Sequence, residues 1–178
     1  MLPTQDRARY PFRSVADGDR IAFGSAALVS MRTPGHTDES TTYLVDNAAA
    51  FTGDTLFLNS VGRPDLEGGS GQQLASRARL LQMWVRHLLE LPEATHVFPG
   101  HFSEAIPFDC RMLGTTVGTI RDTVALARLE DSPFVQAVLA RIPPSPPNHS
   151  RIGEFIERGE LPGDPSELQA GANRCAIA

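Results

Sequence analysis

The sequence predicts an α/β domain, and three observations lead to that prediction. Short apolar runs alternate with turn residues between Asp17 and Asp54, as in a half-buried antiparallel sheet. Residues 73–90 carry leucine, alanine and valine at helical spacing, which predicts a long amphipathic helix. Beyond that helix, His96-Val97-Phe98 predicts another strand before a turn. With 178 residues, the chain is long enough to bury a core.

The individual elements follow from their local patterns. Four strands are predicted before Asp54, at Ile21-Ala22-Phe23, Ala27-Leu28-Val29, Tyr43-Leu44-Val45 and Ala49-Ala50-Phe51. Two helices are predicted at 115–130 and 133–142, and a prolyl run at 143–147 then excludes helix because proline lacks the amide donor. Asn148 is predicted to cap a last helix at 149–158. We expect one domain over residues 1–160 and an extended tail over 161–178.

Composition narrows the classes of function. The net charge of −5 and the absence of basic runs argue against nucleic acid as a partner. The start shows no secretion signal, and no apolar run approaches the roughly 20 residues of a membrane span, so we expect a soluble, cytoplasmic protein without membrane contact. Cys110 and Cys175 lie far apart in sequence, which favours two thiols over a disulfide.

Three potential metal ligands stand where predicted strands end: His36, Asp54 and His101. Imidazole and carboxylate together suit zinc and iron, and two histidines with one carboxylate are typical of non-heme Fe(II) oxygenases. The alternative for each residue alone is a turn-capping aspartate or a surface histidine. The remaining histidines are interpreted as structural or surface residues: His87, His96 and His149.

The surrounding motifs resemble the metallo-β-lactamase fold superfamily, and in particular its glyoxalase II and persulfide dioxygenase branch. The resemblance rests on Thr33-Pro34-Gly35-His36-Thr37, Phe51-Thr52-Gly53-Asp54-Thr55-Leu56-Phe57, Phe98-Pro99-Gly100-His101, Gly62-Arg63-Pro64-Asp65 and Ala172-Asn173-Arg174-Cys175. It is strong over about residues 13–110. It implies an αββα-type fold, a β-sandwich flanked by helices.

The resemblance also implies residue roles. His36 and Asp54 would bind Fe(II) or Zn(II), and His101 would bind a second metal or line the site. Arg63 and Asp65 would contribute to binding an anionic, glutathione-like thiol or thioester, since a guanidinium fork suits carboxylates. For Arg63 a structural ion pair with Asp65 is the alternative.

One family motif is absent from the sequence. The superfamily signature His-x-His-x-Asp-His precedes the first of these motifs, but only 35 residues precede His36 and no two histidines are two positions apart. We therefore expect an N-terminally shortened form that holds metal weakly, exposes one apolar sheet face and associates, either as a homo-oligomer or with an upstream fragment.

Three functions remain open. The first is oxidation of glutathione persulfide by an Fe(II) dioxygenase, impaired in this chain. The second is thioester hydrolysis of the glyoxalase II kind, in which metal-bound water is the nucleophile. The third is a non-catalytic remnant or subunit that pairs with a partner supplying the missing ligands.

Overall fold

The computed structural model describes residues 1–46, 48–102, 106–107, 109–145, 147–168 and 175–177. Its centre is a six-stranded sheet with the strand order β3-β4-β5-β6-β8-β9. The strands of this sheet are β3 (Arg20–Phe23), β4 (Ala26–Arg32), β5 (Thr41–Val45), β6 (Ala49–Gly53), β8 (His96–Pro99) and β9 (Thr115–Thr116). Two short ladders lie outside it, joining β1 (Leu2–Pro3) to β2 (Ser14–Val15) and β7 (Val61–Gly62) to β10 (Ala176–Ile177).

The first four strands of the sheet confirm the alternating pattern of the sequence. β3 through β6 pair antiparallel in chain order, with Val29 opposite Leu44 and Leu44 opposite Ala50. Residues that lie directly opposite each other on neighbouring strands point to the same face of the sheet, so these side chains share one face. Leu44, Ala50 and Val97 on this inner face are buried, which places the core on that side.

Helix α1 (Gln72–Leu89) joins β6 to the parallel strand β8 and covers the inner face. Leu81, Val85 and Leu88 follow one another at helical spacing and are all buried in the main core. Each such side chain contributes about 1.5–3 kcal/mol relative to an exposed one. The helix predicted over 73–90 is therefore confirmed, with bounds shifted by one residue.

The helix predicted over residues 115–130 is confirmed only in part, at Val117–Thr123. Thr115 and Thr116 form β9, which pairs with His96 and Val97 of β8. The Thr116 side chain then accepts a hydrogen bond from the Thr119 amide and caps α2 (Val117–Thr123), after which Leu126–Arg128 make a 3₁₀ turn. Thr115 and Thr116 are β-branched and lie at the edge of the sheet, where the strand conformation is favoured. The helical pattern of the surrounding sequence did not reveal this preference.

The last helices lie close to their predicted bounds. α3 (Asp131–Ala140) packs Phe134 and Val138 into the core against α1, and α4 (His149–Arg158) ends at Gly159 in the left-handed region. Asn148 stands at the N-terminus of α4 as predicted, but its side chain makes no capping hydrogen bond. The predicted position of Asn148 is therefore confirmed, and the predicted side-chain cap is wrong.

The C-terminal segment returns to the body of the fold. Ile177 of β10 pairs with Val61 of β7, and its side chain is fully buried in the main core. Residues 172–174 of the Ala-Asn-Arg-Cys motif lie outside the described residues, whereas Cys175 is described. Part of the predicted tail is thus a strand.

The outer face of the sheet carries apolar side chains that reach solvent. Tyr43, Phe51 and Phe98 form a row across β5, β6 and β8, and the rings of Phe51 and Phe98 stack at 5.3 Å. Phe51 is 44% exposed. The exposed apolar sheet face expected from the sequence is therefore present.

Two smaller expectations concern membranes and cysteines. Among the helices that the structure describes, none has the length and apolar character required to cross a bilayer. Cys110 is exposed, Cys175 is partly buried, and the two do not form a disulfide with each other.

Candidate metal centre

Strand direction brings the three predicted ligands to one edge of the sheet. β4 and β6 are both antiparallel to β5, and β6 is parallel to β8, so β4, β6 and β8 run in the same direction. The segments that follow these strands carry His36, Asp54 and His101. Residues far apart in sequence therefore leave the sheet on the same side.

Buried hydroxyl groups join the first two of these segments. The Thr33 hydroxyl lies 3.1 Å from that of Thr55, and the Thr55 hydroxyl donates to the Thr33 carbonyl at 3.2 Å. Both threonines are fully buried. These bonds fix the segment before His36 against the segment after Asp54.

Asp54 contacts both histidines. Its Oδ2 lies 3.5 Å from Nε2 of His36, and each of its carboxylate oxygens lies 2.8 Å from Nδ1 of His101. Asp54 and His36 are largely buried, whereas half of the His101 side chain is exposed. The structure thus brings together all three residues predicted as metal ligands, with the carboxylate between the two imidazoles.

The orientation of His36 suits a metal ligand. Its Nδ1 lies 2.8 Å from the Arg63 carbonyl oxygen, which can only accept, so Nδ1 carries the proton in this contact. In the neutral ring the lone pair then sits on Nε2, which faces Asp54. Ligating histidines commonly donate their other ring N–H to a carbonyl in this way, because the bond fixes the tautomer and the ring plane.

The distance between His36 Nε2 and Asp54 Oδ2 also fits an ion. A neutral Nε2 and a carboxylate oxygen at 3.5 Å direct lone pairs at each other, so a cation between them, or a proton on His36, is required for attraction. Bonds of about 2.0–2.2 Å from zinc to nitrogen and oxygen ligands in a tetrahedral site place the ligand atoms roughly 3.3–3.6 Å apart. The observed separation of His36 and Asp54 lies within that interval.

Cys175 is a further potential donor beside His36 and Asp54, and it was not predicted as a ligand from the sequence. One donor atom from each of His36, Asp54 and Cys175 lies within 4.8 Å of the other two, while His101 is not a member of this group. The Arg63 amide donates to the Cys175 carbonyl at 3.0 Å, next to the β7–β10 ladder. A signal existed, since the Cys175 motif belonged to the family resemblance, but sequence spacing alone could not bring it to Asp54.

Charges within the cluster shift two pKa values in opposite directions. Burial acts to raise the pKa of Asp54, but hydrogen bonds and positive charge from His36 and then His101 outweigh it, so the pKa lies below its ordinary value. Burial, followed by the negative charge and hydrogen bond of Asp54, raises the pKa of the Cys175 thiol to about 12. Without a metal ion, the thiol therefore keeps its proton at neutral pH.

Two glycines make the close packing around Asp54 possible. A Cβ added to Gly62 would lie 2.0 Å from the Asp54 carbonyl oxygen, and one added to Gly100 would lie 2.9 Å from Asp54 Oδ1. Both distances are below normal contact. The sequence patterns Gly-Arg and Pro-Gly-His thus require glycine for steric reasons at the aspartate.

Arg63 and Asp65 form the ion pair that was the alternative interpretation of Arg63. Nε and Nη2 of Arg63 donate to the two Asp65 oxygens at 2.8 and 2.7 Å, and Nη2 also donates to the Pro143 carbonyl at 2.8 Å. The Arg63 side chain is fully buried. This geometry favours a structural role, and substrate binding by Arg63 and Asp65 stays a prediction.

A cavity of about 330 Å³ lies next to His101. Its lining is mostly apolar, with Phe57, Phe102 and Met112 among its residues. Arg111 also lines it and pairs with Asp109 at 2.7 Å, with 83% of the Arg111 side chain exposed. An exposed guanidinium at an apolar cavity can bind an anionic group, a feature that the sequence reasoning assigned to Arg63 instead.

The fold agrees with solved structures. A metallo-β-lactamase of Staphylococcus aureus superposes on 86% of this chain and 46% of its own, with a TM-score of 0.73 and 22% sequence identity. The chain has the metallo-β-lactamase fold. ETHE1 of Myxococcus xanthus shares this metallo-β-lactamase fold with it over 93% of this chain and 60% of its own, with a TM-score of 0.58 and 26% identity. The α/β fold and the family resemblance predicted from the sequence are confirmed.

Sequence comparison finds relatives that include two proteins named as hydrolases. A probable metallo-hydrolase of Burkholderia pseudomallei is 33% identical over 141 residues, which are 72% of this chain and 46% of the relative. A hydroxyacylglutathione hydrolase of Rhodospirillum rubrum is 41% identical over 92 residues, 50% of this chain and 32% of the relative. An uncharacterized Mycobacterium tuberculosis protein is 43% identical over 91 residues, 48% of this chain and 38% of the relative. This metallo-β-lactamase-fold chain thus spans less than half of these relatives, and no protein-family model matches it.

Proposed function

We propose that this chain contributes the metal centre of a metal-dependent hydrolase that cleaves a thioester of a small thiol, such as a glutathione derivative. The observation that carries the proposal is the single carboxylate of Asp54 between two imidazoles, at 3.5 Å from His36 and 2.8 Å from His101. Similarity to a hydroxyacylglutathione hydrolase supports this class of substrate. Water and the thioester would yield a carboxylate, a thiol and one proton.

Residues of this chain would have separate roles at the metal ion. His36 would present Nε2 to the metal, because the Arg63 carbonyl holds the proton on Nδ1. Asp54 would share its two oxygens between the metal and His101. A zinc ion bound there supplies a Lewis acid and a water of lowered pKa.

The size and lining of the cavity beside His101 favour a small, partly apolar substrate. Its volume of about 330 Å³ lies at the lower end of ligand-binding cavities, and Phe57 and Met112 give it an apolar wall. Arg111 would hold a carboxylate of the substrate, since its side chain is 83% exposed and its Asp109 contact engages Nε, on one side of a fork that carries five N–H donors.

A second candidate is oxidation of a persulfide. Two imidazoles and one carboxylate are the ligand types of non-heme Fe(II) oxygenases, and Gly62-Arg63-Pro64-Asp65 resembles the persulfide dioxygenase branch. The reaction would consume one persulfide, one O₂ and one water, and would yield a thiol, sulfite and two protons. The sulfur that forms sulfite is oxidised and O₂ is reduced.

The two candidates are separable by assay of the full chain. We expect cleavage of an acylglutathione by protein loaded with Zn(II), and O₂ uptake with glutathione persulfide would instead support the second candidate. Asp54→Asn should abolish metal binding and activity together, while the exposed Asp122→Asn should change neither. Activity that survives Asp54→Asn contradicts the proposed centre.

A third outcome of these assays would indicate that the chain acts with a partner. A chain that binds metal but performs neither reaction would contradict both enzymatic proposals for the chain alone. It would favour the interpretation in which a partner or upstream fragment supplies further ligands, and addition of such a fragment should then restore activity. Metal content and activity must therefore be measured on the same sample.

A further inference from the structure

We propose that Cys175 is a direct metal ligand, so that His36, Asp54 and Cys175 form a three-donor site within this chain. This inference rests on the proposed metal-dependent function. It also narrows the choice of metal ion for that function. The donor atoms of the three side chains lie within 4.8 Å of one another. Three protein ligands and one open position are the arrangement of catalytic zinc sites.

The Cys175 thiolate raises the number of protein donors at this point from two to three. His36 and Asp54 by themselves supply two donor atoms, and His101 lies outside the compact group. A thiolate adds a strong third donor from the opposite end of the chain. His36, Asp54 and Cys175 would thus give an ion three protein donors, all of them among the residues that the structure describes.

The backbone fixes the position of Cys175. The Cys175 carbonyl accepts a hydrogen bond from the Arg63 amide at 3.0 Å, and Ile177, two residues later, is fully buried. The Arg63 carbonyl in turn accepts from His36 at 2.8 Å. One residue, Arg63, thus orients two of the three donors through its backbone.

The donor types determine which ion the site prefers. An imidazole, a carboxylate and a thiolate suit zinc, because thiolate is a soft ligand and the hard-oxygen sites of Mg²⁺ and Ca²⁺ exclude it. Binding replaces the thiol proton by the metal ion, and the proton passes to solvent. No oxidant or reductant is needed.

Cobalt(II) titration of the metal-free full chain tests the inference. A cobalt–thiolate bond gives a sulfur-to-metal charge-transfer absorption in the near ultraviolet, which imidazole and carboxylate ligands do not give. We expect this absorption in the wild type and in Cys110→Ser, the matched control at the exposed cysteine. Cys175→Ser should lose the absorption and bind cobalt at least about tenfold more weakly, since even removal of a ligand's hydrogen-bond partner costs about 10–100-fold.

A second measurement does not depend on the folding of a variant. Zn(II) should slow alkylation of Cys175 by iodoacetamide in the wild type, while the rate at Cys110 stays the same, and mass spectrometry separates the two sites. Cobalt bound at one equivalent without the charge-transfer absorption overturns the Cys175 inference alone. Failure of the wild type to bind any metal overturns both this inference and the proposed function.

Discussion

Arg63 shows how one residue can organise a site without touching its substrate. Its carbonyl accepts from His36, its amide donates to Cys175 and its guanidinium binds Asp65 and the Pro143 carbonyl. Because the side chain is fully buried, its charge depends on these partners for compensation. Sequence spacing alone left substrate binding and an ion pair as equal alternatives for this residue.

Removal of the Arg63 guanidinium should destabilise the fold. Arg63→Met leaves the Asp65 carboxylate without this partner, and breaking a buried ion pair by removing one side costs about 3–5 kcal/mol. Arg111→Met is the matched control, since Arg111 and Asp109 are also two residues apart but Arg111 is 83% exposed. That change should cost at most about 1 kcal/mol. Urea denaturation measures both, and equal losses would contradict the structural role of Arg63.

Gly62 is a second residue whose identity follows from geometry. In Gly62→Ala the new methyl group would lie 2.0 Å from the Asp54 carbonyl oxygen and 3.2 Å from His36 Cβ. We expect a loss of about 1–3 kcal/mol from overpacking and weaker zinc binding, because both candidate ligands must move. Gly153→Ala in α4, where the added methyl group meets nothing within 4 Å, should leave zinc affinity unchanged in calorimetry. Unchanged affinity in Gly62→Ala would contradict this steric requirement.

At the level of elements, the short ladder of β7 and β10 connects the end of the chain to the metal centre. Among the described residues it contains two residue pairs, Ala176 with Gly62 and Ile177 with Val61. Such a ladder supplies little stability by itself, so burial of Ile177 in the main core must hold it in place. The position of Cys175 therefore depends on a hydrophobic contact two residues away.

Shortening the Ile177 side chain should allow β10 to detach from β7. Ile177→Ala removes a fully buried side chain, which costs about 2–5 kcal/mol, and alkylation of Cys175 should become faster because β10 detaches more often. Leu161→Ala, at a side chain that is 88% exposed, should alter neither stability nor labelling. Labelling of Cys175 at an unchanged rate in Ile177→Ala would show that β10 is held by other contacts.

Element prediction succeeded where the pattern was local. Apolar alternation marked β4, β5 and β6, and helical spacing marked α1, because each of these elements buries one face against the same core. It failed at Thr115 and Thr116, since their strand conformation comes from pairing with β8, nearly twenty residues earlier in the chain. Non-local pairing overrides the local pattern in such short segments.

At the level of the whole molecule, the sheet is covered on one face and partly open on the other. α1 covers the inner face and α3 packs against α1, whereas Phe51 on the outer face stacks on Phe98 and remains 44% exposed. Contiguous apolar surface of this kind marks an interaction site or favours association. This matches the expectation of a homo-oligomer or a partner fragment, which stays a prediction.

Substitution on the outer face should reduce association. Phe51→Thr keeps a residue that favours strands but removes the exposed ring, so the apparent mass in light scattering should fall towards that of a monomer. Met83→Thr on α1, at a residue that is 51% exposed and lies outside the sheet, should leave the mass unchanged. A wild-type chain that is already monomeric at high concentration would contradict association through this face.

The sequence by itself predicted the ligand types of the candidate centre and the positions of the main strands and helices. His36, Asp54 and His101 were recognisable because each follows a strand in a motif of fixed local form, and a local form is encoded by adjacent residues. Only the tertiary structure placed Cys175 beside Asp54 and buried the Arg63 guanidinium against the Pro143 carbonyl. Both depend on contacts between residues distant in sequence, which fix positions through packing and hydrogen bonds that no local pattern records.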